Sequence, residues 1–179
     1  MPFRDQVSER FRDTLEHYLD RIHYSKPKHP RILNVGCGWC SEAEVLVDFF
    51  GGTMVGIDIN EGFIASLRKK YKKNGRYEFI HGDARRLSDL IEEKADIVVA
   101  RHPDVRNDDW EKMFKESYGL TRKGGIVIVT CYFPGEPKVA KDNLTKAKYK
   151  VRVCEENNFP ATGGPFQVFS DKYVVIGQK

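Results

Sequence analysis

Short apolar runs alternate with segments of helical periodicity along most of this chain. Strands and helices that alternate at this spacing form a parallel sheet with helices on both faces. Two further strands are predicted near 149–154 and 172–177, with no convincing helix between them, so we expect the last strand to run antiparallel. The sequence thus predicts an α/β, doubly wound, mostly parallel sheet of about seven strands. The first five predicted strands are 31–35, 53–58, 77–83, 95–100 and 126–133.

Helix boundaries follow from capping residues and from glycines. An amphipathic helix is predicted from Val7 to Ile22. Ser41 with Glu44 has the spacing of a capping box, so a helix is expected to begin at Ser41. Asn60 is predicted to cap the next helix, two more are expected within 86–94 and 108–120, and the last of these is predicted to stop at Gly124–Gly125. After the fifth strand the pattern loosens into a polar stretch at 134–147.

Length and charge exclude several classes of protein. The 179 residues correspond to one ordinary domain, and the longest apolar run, within 126–133, is too short to cross a bilayer. The first residues are charged throughout and lack the apolar core of a signal peptide, which predicts a cytoplasmic protein. The net charge of +4 permits an acidic partner without requiring one.

The loop after the first strand, GCGWC at 36–40, suggests a zinc site, a redox dithiol or a nucleotide-binding turn. Zinc needs about four ligands, usually as two close pairs, whereas Cys131 and Cys154 stand alone and the histidines show no paired spacing. A strand–CxxC–helix order can lower a thiol pKa, but the thioredoxin pattern has Trp where this chain has Gly36. We therefore expect no metal site, and Cys37 and Cys40 to be small apolar filler beside a tight turn.

Two acids favour the nucleotide interpretation. Asp58 ends the second strand, where a carboxylate can hold both ribose hydroxyls, and Asp83 ends the third, where it could face adenine. A pyrophosphate is disfavoured because Ser41 replaces the third glycine of the dinucleotide pattern and because Glu42 and Glu44 would repel a phosphate. S-adenosylmethionine, with its sulfonium and ammonium cations, tolerates those acids.

The motifs resemble those of the class I S-adenosylmethionine-dependent methyltransferases. ILNVGCGWC, VGIDIN, HGDARRL and ADIVVARHPD resemble the first four motifs of that family in order and spacing, and GGIVIVT resembles the strand that follows. The resemblance implies a Rossmann-like methyltransferase domain over 31–179, preceded by an N-terminal helix and linker over 1–30, within a single domain overall. It also implies S-adenosylmethionine as the cofactor.

The resemblance carries over residue by residue. Gly36 and Gly38 would let the backbone close on the cofactor, Asp58 would bind the ribose, and Asp83 with the Ala84 amide would bind adenine. Ala100 and Arg101 would line the methionine side. The full set of cofactor-binding residues that the resemblance implies is Asn34, Gly36, Cys37, Gly38, Asp58, Ile59, Asp83, Ala84 and Arg101.

Two departures from the family pattern leave an alternative open. Asn34 stands where the family usually has an acid, and Cys40 stands where it usually has a third glycine. An amide at 34 can still hydrogen-bond, and Cys40 is small enough for the turn if its φ is negative. The chain is therefore expected to be an active methyltransferase, with a non-catalytic S-adenosylmethionine-binding module as the alternative.

The acceptor is less well defined by the sequence. His102 is the candidate general base, with Asp104 nearby to orient it. No [DNS]-P-P-[YFW] signature of exocyclic-amine methylation is present, and we expect a small-molecule acceptor. RNA is the alternative, through the basic stretch Arg68–Arg76, whose other interpretation is a solvated helix end. Phe159, Phe166 and Phe169 are candidates for an apolar wall.

Overall fold

The computed structural model describes residues 3–163 and 168–179, with side chains described for 9–160 and 171–179. The strands are β1 (Arg31–Val35), β2 (Thr53–Asp58), β3 (Tyr77–His81), β4 (Ala95–Arg101), β5 (Thr121–Cys131), β6 (Lys150–Glu156), β7 (Ala161–Gly163), β8 (Val168–Ser170) and β9 (Tyr173–Gln178). The helices are α1 (Phe3–Arg21), α2 (Ala43–Phe50), α3 (Glu61–Tyr71), α4 (Leu87–Leu90), α5 (Asp109–Leu120) and α6 (Glu136–Lys146). A 3₁₀ turn, Ala84–Arg86, precedes α4.

Seven of these strands form one sheet in the order β3-β2-β1-β4-β5-β9-β6. The pairs from β3 through β5 are parallel, and β9 runs antiparallel to both β5 and β6. The predicted fold class, with the last strand antiparallel, is confirmed. The chain leaves β1 toward β2 on one side and β4 lies on the other, so the strand order reverses between β1 and β4. Ligands of open parallel sheets bind at the carboxyl ends of the strands at such a reversal.

Helices cover the sheet on both faces. The first apolar layer packs α1, α2 and α3 against one face, and the second packs α4, α5 and α6 against the other. Phe11, Leu15 and Tyr18 of α1 are at most 1% exposed, so the N-terminal helix belongs to the same core as the sheet. Full burial of such a side chain is worth about 1.5–3 kcal/mol. None of the described helices is long and apolar enough to cross a membrane.

Two of the predicted helix boundaries are wrong. The helix expected at Ser41 begins at Ala43, because Glu42 takes the N-cap position without a side-chain cap and turns its carboxylate into the core. The helix expected to run to Gly124–Gly125 ends at Leu120, where Thr121 becomes extended and starts β5.

One helix, α6, was not predicted, because the polar composition of 134–147 conceals it. Pro137 stands in its first turn, where a missing N–H costs nothing. Its buried stripe consists mainly of Ala140, Asn143 and Leu144. The side-chain amide of Asn143 donates to the carbonyl of Val105 at 3.3 Å, so a polar residue fills a core position.

Candidate functional site

The loop after β1 forms the floor of the site. Gly36 and Gly38 have φ of 65° and 51°, a region that glycine enters without penalty. The N–H of Cys37 donates to the carbonyl of Ile57 at 3.0 Å, which ties the loop to β2. A Cβ at position 36 would lie 3.0 Å from the indole ring of Trp110, so a glycine is needed there for steric as well as conformational reasons.

Cys37 and Cys40 are 6% and 2% exposed. Cys40 has φ of 48°, so the condition of a negative φ, under which its side chain was expected to suit the turn, is not met. A hydrogen bond with Cys37 and burial raise the pKa of the Cys40 thiol well above its usual range, which leaves it a poor nucleophile. Within the described residues, no group of three or more His, Cys, Asp or Glu side chains is placed to hold a metal ion.

We expect the double substitution of Cys37→Ala and Cys40→Ala to leave the fold and nucleotide binding largely intact, because both thiols pack rather than react. Circular dichroism and a binding titration check the fold and the affinity, and elemental analysis checks the wild type for metal. Stoichiometric zinc, or a thioredoxin-like redox couple, would contradict the assignment of these cysteines as apolar filler.

Asp58 joins the glycine loop to the start of α3. Its Oδ2 accepts from the N–H of Gly38 at 2.8 Å, and its Oδ1 accepts from the N–H of Asn60 at 2.8 Å. Asn60 in turn caps α3 by accepting from the N–H of Phe63 at 3.1 Å, as predicted. A carboxylate has about four acceptor sites, so Asp58 keeps capacity for further donors.

A cavity of about 330 Å³ opens beside Asp58 at the carboxyl ends of β1, β2 and β3. Five of the predicted cofactor-binding residues line it. Ile59 is 68% exposed, which is unusual for a large apolar side chain and leaves a flat surface for a ring to cover. The lining residues are Gly36, Ile57, Asp58, Ile59, Gly82, Asp83, Ala84, Arg85, Asn107, Asp109, Trp110 and Met113.

Arg85 bridges two acids in the lining of this cavity. Its guanidinium donates to Asp83 at 2.5–2.9 Å and to Asp109 at 3.1 Å. These side-chain hydrogen bonds, with one from the Arg85 N–H, lower the pKa of Asp83. Sequence reasoning missed Arg85 and Asp109, although the Asp-Ala-Arg order at a turn is a usable signal for the first.

A second group of polar side chains, which we call the buried cluster, lies at the end of β4. It consists of Asn34, Glu42, Arg101, His102 and Asp171. Arg101 donates to Asp171 at 2.5–3.2 Å and to Glu42 at 3.4 Å. Burial alone would lower the pKa of Arg101, but the charge of Asp171 outweighs burial and raises it.

The predicted residues divide between these two places. Asn34 and Arg101 belong to the buried cluster, whereas the cavity lining among the described residues contains neither of them, nor Cys37, Gly38 or His102. Ala100, predicted to line the methionine side, is fully buried in the core layer of α4, α5 and α6.

His102 contacts Asp171 rather than Asp104, so the expected orienting acid is wrong. Its Nε2 lies 2.9 Å from Asp171 Oδ1 and 3.0 Å from the main-chain N of Asp171. The first contact is a hydrogen bond when Nε2 carries a proton, and the second when it does not. His102 has φ of 54°, and its ring stacks on Tyr132 with centroids 3.9 Å apart.

A family model described as a methyltransferase domain matches residues 32–125, which include β1 to β4 and the cavity. The chain belongs to this family. The match confirms the class that the motifs resemble, whose cofactor is S-adenosylmethionine.

Curated members of the family cover the chain in part. The sterol 24-C-methyltransferase of Saccharomyces cerevisiae is 29% identical over 117 residues, 64% of this chain and 30% of its own length. The demethylmenaquinone methyltransferase of Chlorobaculum tepidum is 26% identical over 140 residues, 78% of this chain and 53% of its own length. The chain thus spans about half or less of these relatives.

Solved structures of the family share the fold. An S-adenosylmethionine-dependent methyltransferase from Clostridium acetobutylicum superposes with a TM-score of 0.72 at 11% identity, covering 96% of this chain and 91% of that one. A second, from Aquifex aeolicus, gives 0.69 at 15% identity over 99% and 92%. At such identities the likeness establishes the sheet and its helices alone.

The described residues suit the family cofactor. The spare acceptor capacity of Asp58 matches a pair of ribose hydroxyls, and the exposed face of Ile59 matches an adenine ring. At Gly38 nothing lies within 4 Å of where a Cβ would stand, so the backbone is open to close approach there. The cavity lies within the 300–1,000 Å³ range usual for small-molecule sites.

The basic stretch Arg68–Arg76 makes several contacts within the chain. Lys70 pairs with Glu44 at 2.9 Å, Arg76 pairs with Asp48 at 3.1 Å, and Arg68 donates to a main-chain carbonyl. The ring of Tyr71 stacks on that of Tyr77, the residue after the stretch, with centroids 4.3 Å apart. These contacts agree with the helix-end interpretation, and RNA binding stays a prediction.

Two other expectations also stay predictions. The apolar wall rests partly on Phe166 and on the side chain of Phe169, which lie outside the described residues, while the ring of Phe159 packs edge-on against His17. The cytoplasmic location has no test in the fold or in the family match.

Proposed function

We propose that the chain transfers a methyl group from S-adenosylmethionine to a small-molecule acceptor. The observation that carries the proposal is Asp58, whose carboxylate joins the glycine loop to α3 beside the cavity and retains acceptor capacity for the ribose. Asp83 and the Ala84 amide border the same cavity, where adenine would lie.

The bound cofactor supplies a methyl group already activated by a sulfonium. The residues of the chain therefore have to align the acceptor and exclude water, an effect worth up to roughly 7–11 kcal/mol. An acceptor that carries a proton would have to lose it on taking the methyl group. His102 is the proposed base for that proton, with Asp171 orienting its ring.

Two observations support an apolar acceptor of small size. Trp39 and Phe133, in the segments that follow β1 and β5, are 64% and 60% exposed at the same edge of the sheet as the cavity. By their names, the two curated relatives act on a sterol and on demethylmenaquinone, both apolar molecules. An apolar ring or chain would cover such side chains during the reaction.

The proposal is tested by methyl transfer from radiolabelled S-adenosylmethionine into a cell extract, fractionated into lipids, polar small molecules, RNA and protein. We expect label in a small-molecule fraction and highest in lipids. Label in RNA or protein would contradict the acceptor class. Cofactor binding with no label in any fraction would favour the non-catalytic module.

Asp58→Ala should weaken S-adenosylmethionine binding by roughly 100-fold or more. The substitution removes the carboxylate to which the two ribose hydroxyls would donate, and each such hydrogen bond is worth about 1.5–3 kcal/mol. It also removes the acceptor of the main-chain N–H groups of Gly38 and Asn60. Calorimetric titration measures the loss. Asp48→Ala, which removes an exposed carboxylate paired with Arg76, is the matched control and should bind as wild type. An Asp58→Ala chain with wild-type affinity would show that the ribose lies elsewhere.

A further inference from the structure

Asn34 and Glu42 meet beneath the glycine loop, which lies between them in the sequence. The side-chain amide of Asn34 donates to Glu42 Oε1 at 2.6 Å and to the sulfur of Cys40 at 3.2 Å. The two residues are 1% and 5% exposed. Asn34 Oδ1 is buried and has no hydrogen-bond partner among the described residues, which is a costly state for a carbonyl oxygen.

The buried cluster holds two carboxylates against one guanidinium. Arg101 lies closer to Asp171, at 2.5 Å, than to Glu42, at 3.4 Å. His102 faces Asp171, so it cannot neutralise Glu42 directly. The other described polar partner of Glu42 Oε2 is the neutral hydroxyl of Ser41, at 3.3 Å. Glu42 therefore carries a buried charge that its neighbours only partly balance, and such a charge needs a cation.

We propose that Glu42 is the carboxylate that holds the ammonium group of S-adenosylmethionine, with Asn34 Oδ1 as a second acceptor. An ammonium has three N–H donors and no acceptor, so it satisfies an under-neutralised carboxylate and an unpartnered carbonyl oxygen together. Arg101 then acts as a positioning residue, since it contacts Glu42 at 3.4 Å while lying closer to Asp171. This assignment rests on the proposed cofactor and adds the residue that recognises its amino-acid end.

Two ligands separate this assignment from the proposed function. S-adenosylmethionine carries the ammonium, and methylthioadenosine keeps the adenosine but lacks the amino-acid end. Glu42→Gln should weaken S-adenosylmethionine by roughly 30-fold or more, as expected when one partner of a buried charge pair is removed. Methylthioadenosine should bind the variant within about twofold of wild type, because it makes no contact that the substitution removes.

Moving the charge provides the second test. Asn34→Asp combined with Glu42→Gln keeps one carboxylate and one amide in the same pair, so it should recover most of the lost affinity. The double variant also controls for folding, which thermal melts check. Glu93→Gln, which removes an exposed carboxylate paired with Arg31, is the matched control.

The outcomes are distinct. An equal loss for both ligands in Glu42→Gln, or no loss for either, overturns the assignment, as does a folded double variant that recovers nothing. A wild-type chain that binds neither ligand overturns the proposed function, and the assignment with it.

Discussion

Arg101→Met should lower the free energy of unfolding by about 3–5 kcal/mol, the loss usual when one partner of a buried ion pair is removed. Methionine retains much of the volume against the ring of Phe11, over which the guanidinium lies at 4.9 Å. The loss therefore reports charge more than cavity. Asp171 and Glu42 would remain buried with no guanidinium between them. For a chain of this size the melting temperature should fall by roughly 6–20 °C.

The pH dependence of this loss identifies its cause. Burial alone would raise the pKa of Asp171. The charge of Arg101, together with hydrogen bonds from His102 and Arg101 to the carboxylate, holds this pKa well below its usual range. A lowered pKa contributes stability that is present above about pH 4 and lost as the pH falls further. Without Arg101 the Asp171 carboxylate should protonate at higher pH, so the gap in the free energy of unfolding between the variant and wild type should narrow toward pH 4. Urea melts at pH 7 and pH 4.5 measure it, and a constant gap would mean that lost packing is responsible.

His102→Asn should reduce turnover by about 10²–10⁴-fold while the affinity for S-adenosylmethionine stays near wild type, because a base acts on the acceptor's proton. Asparagine is the better replacement than alanine, since it tolerates the left-handed backbone at this position. Measurement of kcat and of cofactor affinity on the acceptor found in the extract assay separates the two effects.

Tyr132→Phe is the control for that substitution. It keeps the ring on which His102 stacks and should leave turnover within a few-fold of wild type. Full turnover in His102→Asn would mean that the acceptor needs no base there, and that alignment alone carries the reaction. Parallel losses in turnover and cofactor affinity would point to a structural role for the ring.

The fold was predictable from the sequence wherever a segment carried its own signal. β1 and β2 match their predicted bounds because a buried parallel strand has a mainly apolar sequence, and a glycine or a polar residue marks where each of these two strands ends. α6 was missed because its buried stripe includes Asn143, whose polarity is satisfied only by a carbonyl distant in the sequence. The start of α2 was missed because Glu42, at the N-cap position, makes no capping hydrogen bond and instead accepts one from Asn34 in the buried cluster.

The candidate site also contains residues that the sequence indicates and residues that only the fold brings together. Asp58, Ile59 and Asp83, which line the cavity, were predictable because each lies at or just after the end of a strand that the sequence shows. Asp171 was not found, since it comes 69 residues after His102 and meets it only once β9 pairs with β5. Trp110 belongs to α5 and reaches Gly36 across the sheet edge, a contact that no local pattern indicates.

Calorimetric titration of the wild-type chain with S-adenosylmethionine, and in parallel with NAD, tests the central claim most directly. The arrangement of Asp58, the glycine loop and the exposed Ile59 predicts saturable binding of S-adenosylmethionine at one site per chain. We expect no binding of NAD, because Glu42, the N-cap residue of α2, disfavours a pyrophosphate at the start of that helix. Binding of NAD, with no heat from S-adenosylmethionine or its demethylated product, would contradict it.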